Sequence, residues 1–239
     1  MADYKLVFEE NFDYTGTPNP DIWTFQVGEK WANNESQCYV DSPENCYVKD
    51  GALHIVATKH QTDTCKYRSA RLMTKNKKHF KYGRFVVRAK MPKGKGAWPA
   101  IWFLGTDSQY RWPHVGEIDL LEYAGNRPEK VTCAIHTGTY NHRIGTDIGT
   151  SKVLKDASDN FHDYILEWSE NELRFLVDYE EILKVNKKPG DTHDEWPFDD
   201  PYYMIINLAV GGWYGGLIRD EDLPFHFEVA FIRYFEEIK

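Results

Sequence analysis

What most limits the fold of this chain is a succession of short segments in which apolar and polar residues alternate. They read "ALHIVATK", "RFVVRAKM", "AWPAIWFLG", "GEIDLLEY", "VTCAIHTG", "HDYILEWS", "ELRFLVDY", "YYMIINLAV" and "FEVAFIRYFEEI", separated by turn-forming residues. Successive side chains of an extended strand point to opposite faces, so a period of two marks strands with one face buried. Helical recurrence is almost absent. Many strands in a row, with no helices between them, close into a sandwich or barrel rather than an α/β fold. "WSENELRF" is a hairpin signal, two alternating runs about the polar link Ser169–Glu172. A length of 239 residues is ordinary for one all-β sandwich. No repeat, low-complexity tract or linker divides it, and "KKPGDTHDEWPFDDP" over 187–201 reads as a long surface loop. The expectation is a single domain over residues 1–239.

Charge narrows the partners. A formal net charge of -8 disfavours nucleic acid and anionic membrane surfaces, both of which need a basic footprint. Aromatic residues make up 15% of the chain, with 8 Trp and 15 Tyr, many beside glycine or polar residues. That placement suits the surface of a carbohydrate site as well as a core. No stretch approaches the roughly 20 apolar residues of a membrane helix. "MADYKLVFEENF" lacks the basic-then-apolar order of a secretion signal. The four cysteines, Cys38, Cys46, Cys65 and Cys133, allow three complete pairings and show no metal-like spacing, which leaves their redox state open. Cys133, in "VTCAIHT", reads as a small buried hydrophobe.

The stretch "HVGEIDLLEYAG" places Glu117, Asp119 and Glu122 inside an otherwise apolar strand. Strict alternation puts Glu117 and Asp119 on one face and Glu122 on the other. A β-bulge between Asp119 and Glu122 absorbs one residue, read as Leu121, and returns Glu122 to the face of the other two. Like charges in a row on one sheet face raise at least one pKa, leaving a protonated acid beside an ionised carboxylate. Glycoside hydrolysis needs that pair: an acid for the departing oxygen and a carboxylate for the anomeric carbon. The same pattern also fits the solvated outer face of an ordinary antiparallel sheet.

The neighbouring strands favour the chemical reading. In "GAWPAIWFLG", Trp98 and Trp102 share a face and offer indole planes for sugar rings. His136, on one face with Thr132 and Ala134, is placed for a carboxylate or a sugar hydroxyl. "EKWANNESQCYV" gathers Trp31, Asn33, Asn34, Glu35 and Gln37, a set of amides and aromatics suited to neutral polyols.

"EIDLLE" followed by "YAG", with "KYGRFVVRAKMPKGKGAWPAIWFLG" before it and "FHDYILEW" and "INLAVGGWYGG" after it, resembles the laminarinase branch of glycoside hydrolase family 16. The resemblance runs from about Leu6 to Phe235. It implies a β-jelly-roll of two packed antiparallel sheets with a concave glucan-binding cleft. It also implies Glu117 as nucleophile, Glu122 as general acid/base and Asp119 as helper, with Asn33 or Asn34, Arg71, Trp98, Trp102 and His136 lining the cleft. The implied activity is that of a retaining endo-β-1,3-glucanase acting on laminarin-like glucans. A mixed-linkage β-1,3-1,4-glucanase is the alternative, and a non-catalytic glucan-binding jelly roll the remote one. The further expectations are a monomer with a glucan as partner, secreted, with its signal segment absent from this chain. Many family members hold a structural calcium through acidic residues in the first motif and the last strand. Asn11 and Ala230 stand at those positions here, so no tight calcium and no other cofactor are expected.

Overall fold

The computed structural model describes residues 3–62 and 64–238. In chain order its strands are β1 (Tyr4–Glu10), β2 (Thr24–Phe25), β3 (Gln37–Tyr39), β4 (Cys46–Lys49), β5 (Ala52–Lys59) and β6 (Tyr67–Ser69). They continue as β7 (Arg71–Met73), β8 (Gly83–Lys90), β9 (Ala97–Gly105), β10 (Glu117–Tyr123), β11 (Lys130–His136) and β12 (Ile148–Val153). The last are β13 (His162–Trp168), β14 (Glu172–Val177), β15 (Glu180–Asn186), β16 (Tyr202–Val210) and β17 (Phe225–Glu237). One short helix, α1 (Gly212–Gly215), occupies the "GGWYGG" loop.

These strands form a β-jelly-roll of two sheets. The seven-stranded sheet runs β12-β11-β10-β9-β16-β7-β2, and the ten-stranded sheet runs β15-β14-β13-β8-β17-β5-β6-β3, with β1 on β17 and β4 on β5. The pairing is antiparallel except between β3 and β6, which run parallel. The "WSENELRF" hairpin forms as expected: Trp168 pairs with Leu173, and Ser169 N–H donates to Glu172 O at 2.9 Å.

Alternation explains how the sheets hold together. On β9, Ile101 and Phe103 are fully buried between the sheets, and on β10 so are Ile118 and Tyr123. Phe85 of β8 meets Phe103 of β9 with ring centroids 4.7 Å apart, an aromatic contact across the core. Each such side chain removed from water contributes about 1.5–3 kcal/mol. The residues between them, Trp98, Ala100 and Trp102 on β9, emerge on the outer face of the seven-stranded sheet. All nine residues of β16 are buried, because the cleft face is itself covered by side chains.

A disulfide joins Cys38 of β3 to Cys65, which precedes β6. Cys46 and Cys133 are free and buried, and Cys133 packs in the core as a small hydrophobe.

Candidate active site

The carboxylates share a face because β10 is bulged. Against β11, Asp119 faces Ala134 and Glu122 faces Thr132, so two residues oppose one. Against β9, Asp119 faces Trp102, Leu121 faces Ile101 and Glu122 faces Ala100, which leaves Leu120 as the inserted residue. This corrects the expectation for Leu121. Leu121 keeps a β9 partner and continues the core-facing alternation of Ile118 and Tyr123, while Leu120 takes up the slack and is also buried. Beyond the bulge, Glu122 stands over the same cleft as Glu117 and Asp119.

Each carboxyl has a named partner. Trp112 Nε1–H donates to Glu117 Oε2 at 3.1 Å, and Trp98 Nε1–H donates to Glu122 Oε1 at 3.0 Å. His136 Nε2 lies 3.3 Å from Asp119 Oδ2 and 3.9 Å from Glu117 Oε1. Asp119 Oδ2 has ion-pair proximity to that ring but no hydrogen bond, so the pair is close without being aligned. One donor atom from each of Glu117, Asp119 and His136 falls within 4.8 Å of the others.

This proximity has an electrostatic consequence. Burial raises the Glu117 carboxyl well above its usual range, the Asp119 and Glu122 charges add to it, and His136 and Trp112 oppose it. Burial also raises Asp119 well above its usual range, with Glu122 and Asp147 contributing. Glu122 is raised by burial and held back chiefly by the Trp98 hydrogen bond. The row therefore retains protons that separate, exposed carboxyls would lose. All three shift upward, so the shifts do not assign nucleophile and acid. Position along the motif carries that assignment.

The cleft has a volume of about 610 Å³ and extends from β10 over β9 and β16 to β7. In this arm the Arg71 guanidinium lies between two indoles, 5.2 Å from the Trp31 ring and 4.8 Å from the Trp102 ring. Trp102 Nε1–H donates to Asn207 Oδ1 at 2.7 Å. Of the two asparagines that the resemblance offered, Asn33 lines the arm and Asn34 does not. Both have left-handed backbones, with φ of 62° and 56°, a conformation asparagine tolerates. The turn they make directs Asn33 and Glu35 into the cleft and leaves Asn34 exposed.

Opposite this arm, rings close over the row. Trp112 packs on His142 at 5.0 Å, His142 on Trp213 at 5.5 Å, and Trp213 on Trp98 at 5.7 Å. The chain of rings arches from the indole bound to Glu117 to the indole bound to Glu122. Beneath it, His136 meets His142 edge-on at 5.0 Å. Beside it, Tyr214 Oη is 2.6 Å from Thr132 Oγ1. Trp98 thus serves as hydrogen-bond donor and arch pillar rather than as an open platform, and it is 6% exposed. His136 lies under the arch rather than on the cleft wall. The sequence reading did not single out Trp112, His142 or Asn207. For Trp112 the available signal was its place five residues before Glu117 in "RWPHVGE".

Paired carboxyls on a bulged jelly-roll strand, in a cleft walled by indoles and amides, define a glycoside hydrolase site. The model of the glycosyl hydrolases family 16 matches residues 32–228. The chain belongs to that family. It is 38% identical to a β-glucanase of Rhodothermus marinus, over 99% of this chain and 86% of that protein. The structure of the laminarinase from Rhodothermus marinus superposes with a TM-score of 0.97 at 37% identity, covering 100% of both chains. SCLam, a non-specific endo-β-1,3(4)-glucanase, superposes at 0.93 with 35% identity, covering 99% of this chain and 92% of that one.

Proposed function

We propose that this hydrolase is a retaining endo-β-1,3-glucanase that cuts internal bonds of laminarin-like glucans. One observation carries the reading: Glu117, Asp119 and Glu122 face one cleft together across the β10 bulge. Glu117 attacks the anomeric carbon, and Glu122 protonates the departing oxygen and then activates water to release the glycosyl group. Asp119, between them, tunes the charge of Glu117. Glu117 and Glu122 face Leu104 and Ala100 of β9, four strand positions apart, about 13 Å between Cα atoms at ~3.3 Å per residue. Retention requires the two side chains to lean towards each other across that spacing, to a carboxyl separation of ~5–5.5 Å. The relatives' β-glucanase and laminarinase activities support the substrate class.

The second reading, mixed-linkage cleavage, is supported by the likeness to a non-specific β-1,3(4)-glucanase. A purely glucan-binding role has no use for a row of buried carboxyls with raised pKa values. We infer in addition a single catalytic domain over 1–239, a secreted monomer, and no tight calcium. Ala230, inserted at a bulge in β17, offers no side-chain oxygen. Glu10 Oε1 accepts from Phe12 N–H at 3.1 Å, so the nearest acid is turned inward. Neither Asn11 nor Ala230 supplies the carboxylate that a tightly held calcium uses.

Product profiles on laminarin, lichenan and cellulose, with NMR of the nascent anomer, test the reading. Laminarin is expected to be cut fastest, with the β-anomer released first. Glu117→Gln and Glu122→Gln should each lower kcat by roughly four powers of ten in folded protein. An α-anomer first, or wild-type turnover in either variant, overturns the mechanism. Tenfold higher kcat/KM on lichenan replaces the substrate assignment with the mixed-linkage one.

A further inference from the structure

Glu35 is a fourth carboxyl in the cleft, in the arm away from the row. Its surroundings fix the direction of every hydrogen bond that reaches it. Gln37 Oε1 accepts from the Val210 N–H at 2.7 Å, so the Gln37 amide nitrogen is the atom facing Glu35, and it donates to Oε2 at 2.7 Å. The second chain starts at Trp102, whose indole can only donate. Asn207 accepts from it at 2.7 Å, so the Asn207 nitrogen donates to Tyr39 Oη at 3.0 Å. Tyr39 then has its own proton for Glu35 Oε2, at 3.4 Å. Two one-way chains thus end on one oxygen of Glu35, and only an acceptor satisfies both.

Arg71 shows the complementary incompleteness. Its Nε is buried with no hydrogen-bond partner, and its guanidinium is held between the Trp31 and Trp102 rings. Arg71 and Glu35 line the same arm, yet among the described residues they close no ion pair. Trp31 in turn packs edge-on against Tyr39 at 4.7 Å, so the ring that flanks Arg71 and the hydroxyl that bonds Glu35 are fixed by one residue. An acid and a base held apart by their own supports, both facing an open cleft, match the donor and acceptor of neighbouring sugar hydroxyls.

We propose that Glu35 is a specificity-determining residue of this arm: with Arg71 it forms an open charge pair that grips adjacent hydroxyls of a glucosyl unit remote from the bond being cut. This rests on the β-glucanase reading above. Burial raises the Glu35 carboxyl, while Gln37, Arg71, Tyr39 and Asn33 each draw it back towards the charged form that such a grip uses.

The experiment compares wild type, Glu35→Gln, Arg71→Gln and the double variant on laminarin and on β-1,3-gluco-oligosaccharides from the disaccharide to the hexasaccharide. A glutamine oxygen can take the place of Oε2 and keep both donor chains, so the fold and the setting of Trp102 survive while the charge is lost. Glu35→Gln is expected to melt close to wild type and to raise KM about tenfold on the longer substrates, with kcat nearly kept, since binding away from the reacting bond is lost in KM. The shortest cleaved oligosaccharide should show no change. Losses in the double variant should fall short of the sum of the singles, as two groups sharing a ligand require. Wild-type KM for Glu35→Gln on every length, or an equal loss on all lengths, overturns the proposal while wild type still cuts laminarin. A wild-type protein that cuts no β-1,3-glucan brings down both readings.

Discussion

At the scale of single residues, the site holds acids where the fold would be more stable without their charge. The folded-state pKa of Asp119 is raised above its ordinary 3.8, by burial first and by Glu122 and Asp147 next. A raised carboxyl contributes its stability below the unfolded pKa and loses it as pH climbs through the folded value. At neutral pH the ionised or proton-binding Asp119 therefore costs stability. Asp119→Asn should raise Tm at pH 7, by roughly 2–4 °C per kcal/mol regained, while lowering kcat. Melts repeated near pH 4 should show the gain shrinking, and an equal gain at both pH values would refute the electrostatic account. The three acids were legible in the sequence because carboxyls interrupt an apolar strand. Trp112, Asn207 and Tyr39 were not, since their meaning lies in partners brought close by folding. Tyr39 and Asn207, which hydrogen-bond, are 168 positions apart.

At the scale of elements, two irregularities build the site: the bulge in β10 and the glycine-rich loop around α1. The spacing of Glu117 and Glu122 demanded a bulge, but not which leucine it would insert. That depended on the register against β9, which no local pattern encodes. The loop depends on Gly212, whose φ is 70° and where a Cβ would stand 2.8 Å from Asn33 O and 3.1 Å from the Trp98 ring. The next residue's N–H donates to that same Asn33 carbonyl at 3.0 Å. Gly212→Ala should therefore cost about 1–3 kcal/mol for the backbone. It should also push Trp213 off His142 and Trp98, lowering kcat/KM on glucan. Gly51 supplies the control: its φ is 75° and nothing lies within 4 Å of an added Cβ. Gly51→Ala should show a stability loss with unchanged kinetics, and matching kinetics in the two variants would mean the arch has no part in turnover.

At the scale of the whole molecule, a chain of alternating strands reports its layers readily, because each strand carries its own buried face. It does not report which cysteines meet. The Cys38–Cys65 bond spans 27 positions and joins β3 to the segment before β6, which become neighbours through the parallel β3–β6 pair, an exception within an antiparallel design. The outer face of the ten-stranded sheet poses the remaining question, since β1 and β17 meet there beside the positions where acids would hold calcium. Glu10 faces Ile232 in that pairing, and Ala230 is the residue set out of register between Val229 and Phe231. Calcium takes six to eight oxygens, carboxylates prominent among them, and neither Asn11 nor Ala230 supplies a carboxylate. An ion that binds only the native state raises Tm in proportion to RT ln(1 + [L]/Kd), so its removal by excess chelator must lower Tm if the site is filled. We expect melts with chelator and with added calcium to coincide. A fall of many degrees in chelator, restored by calcium and not by magnesium, would mean that backbone carbonyls and water at the β1–β17 edge hold the ion without those acids.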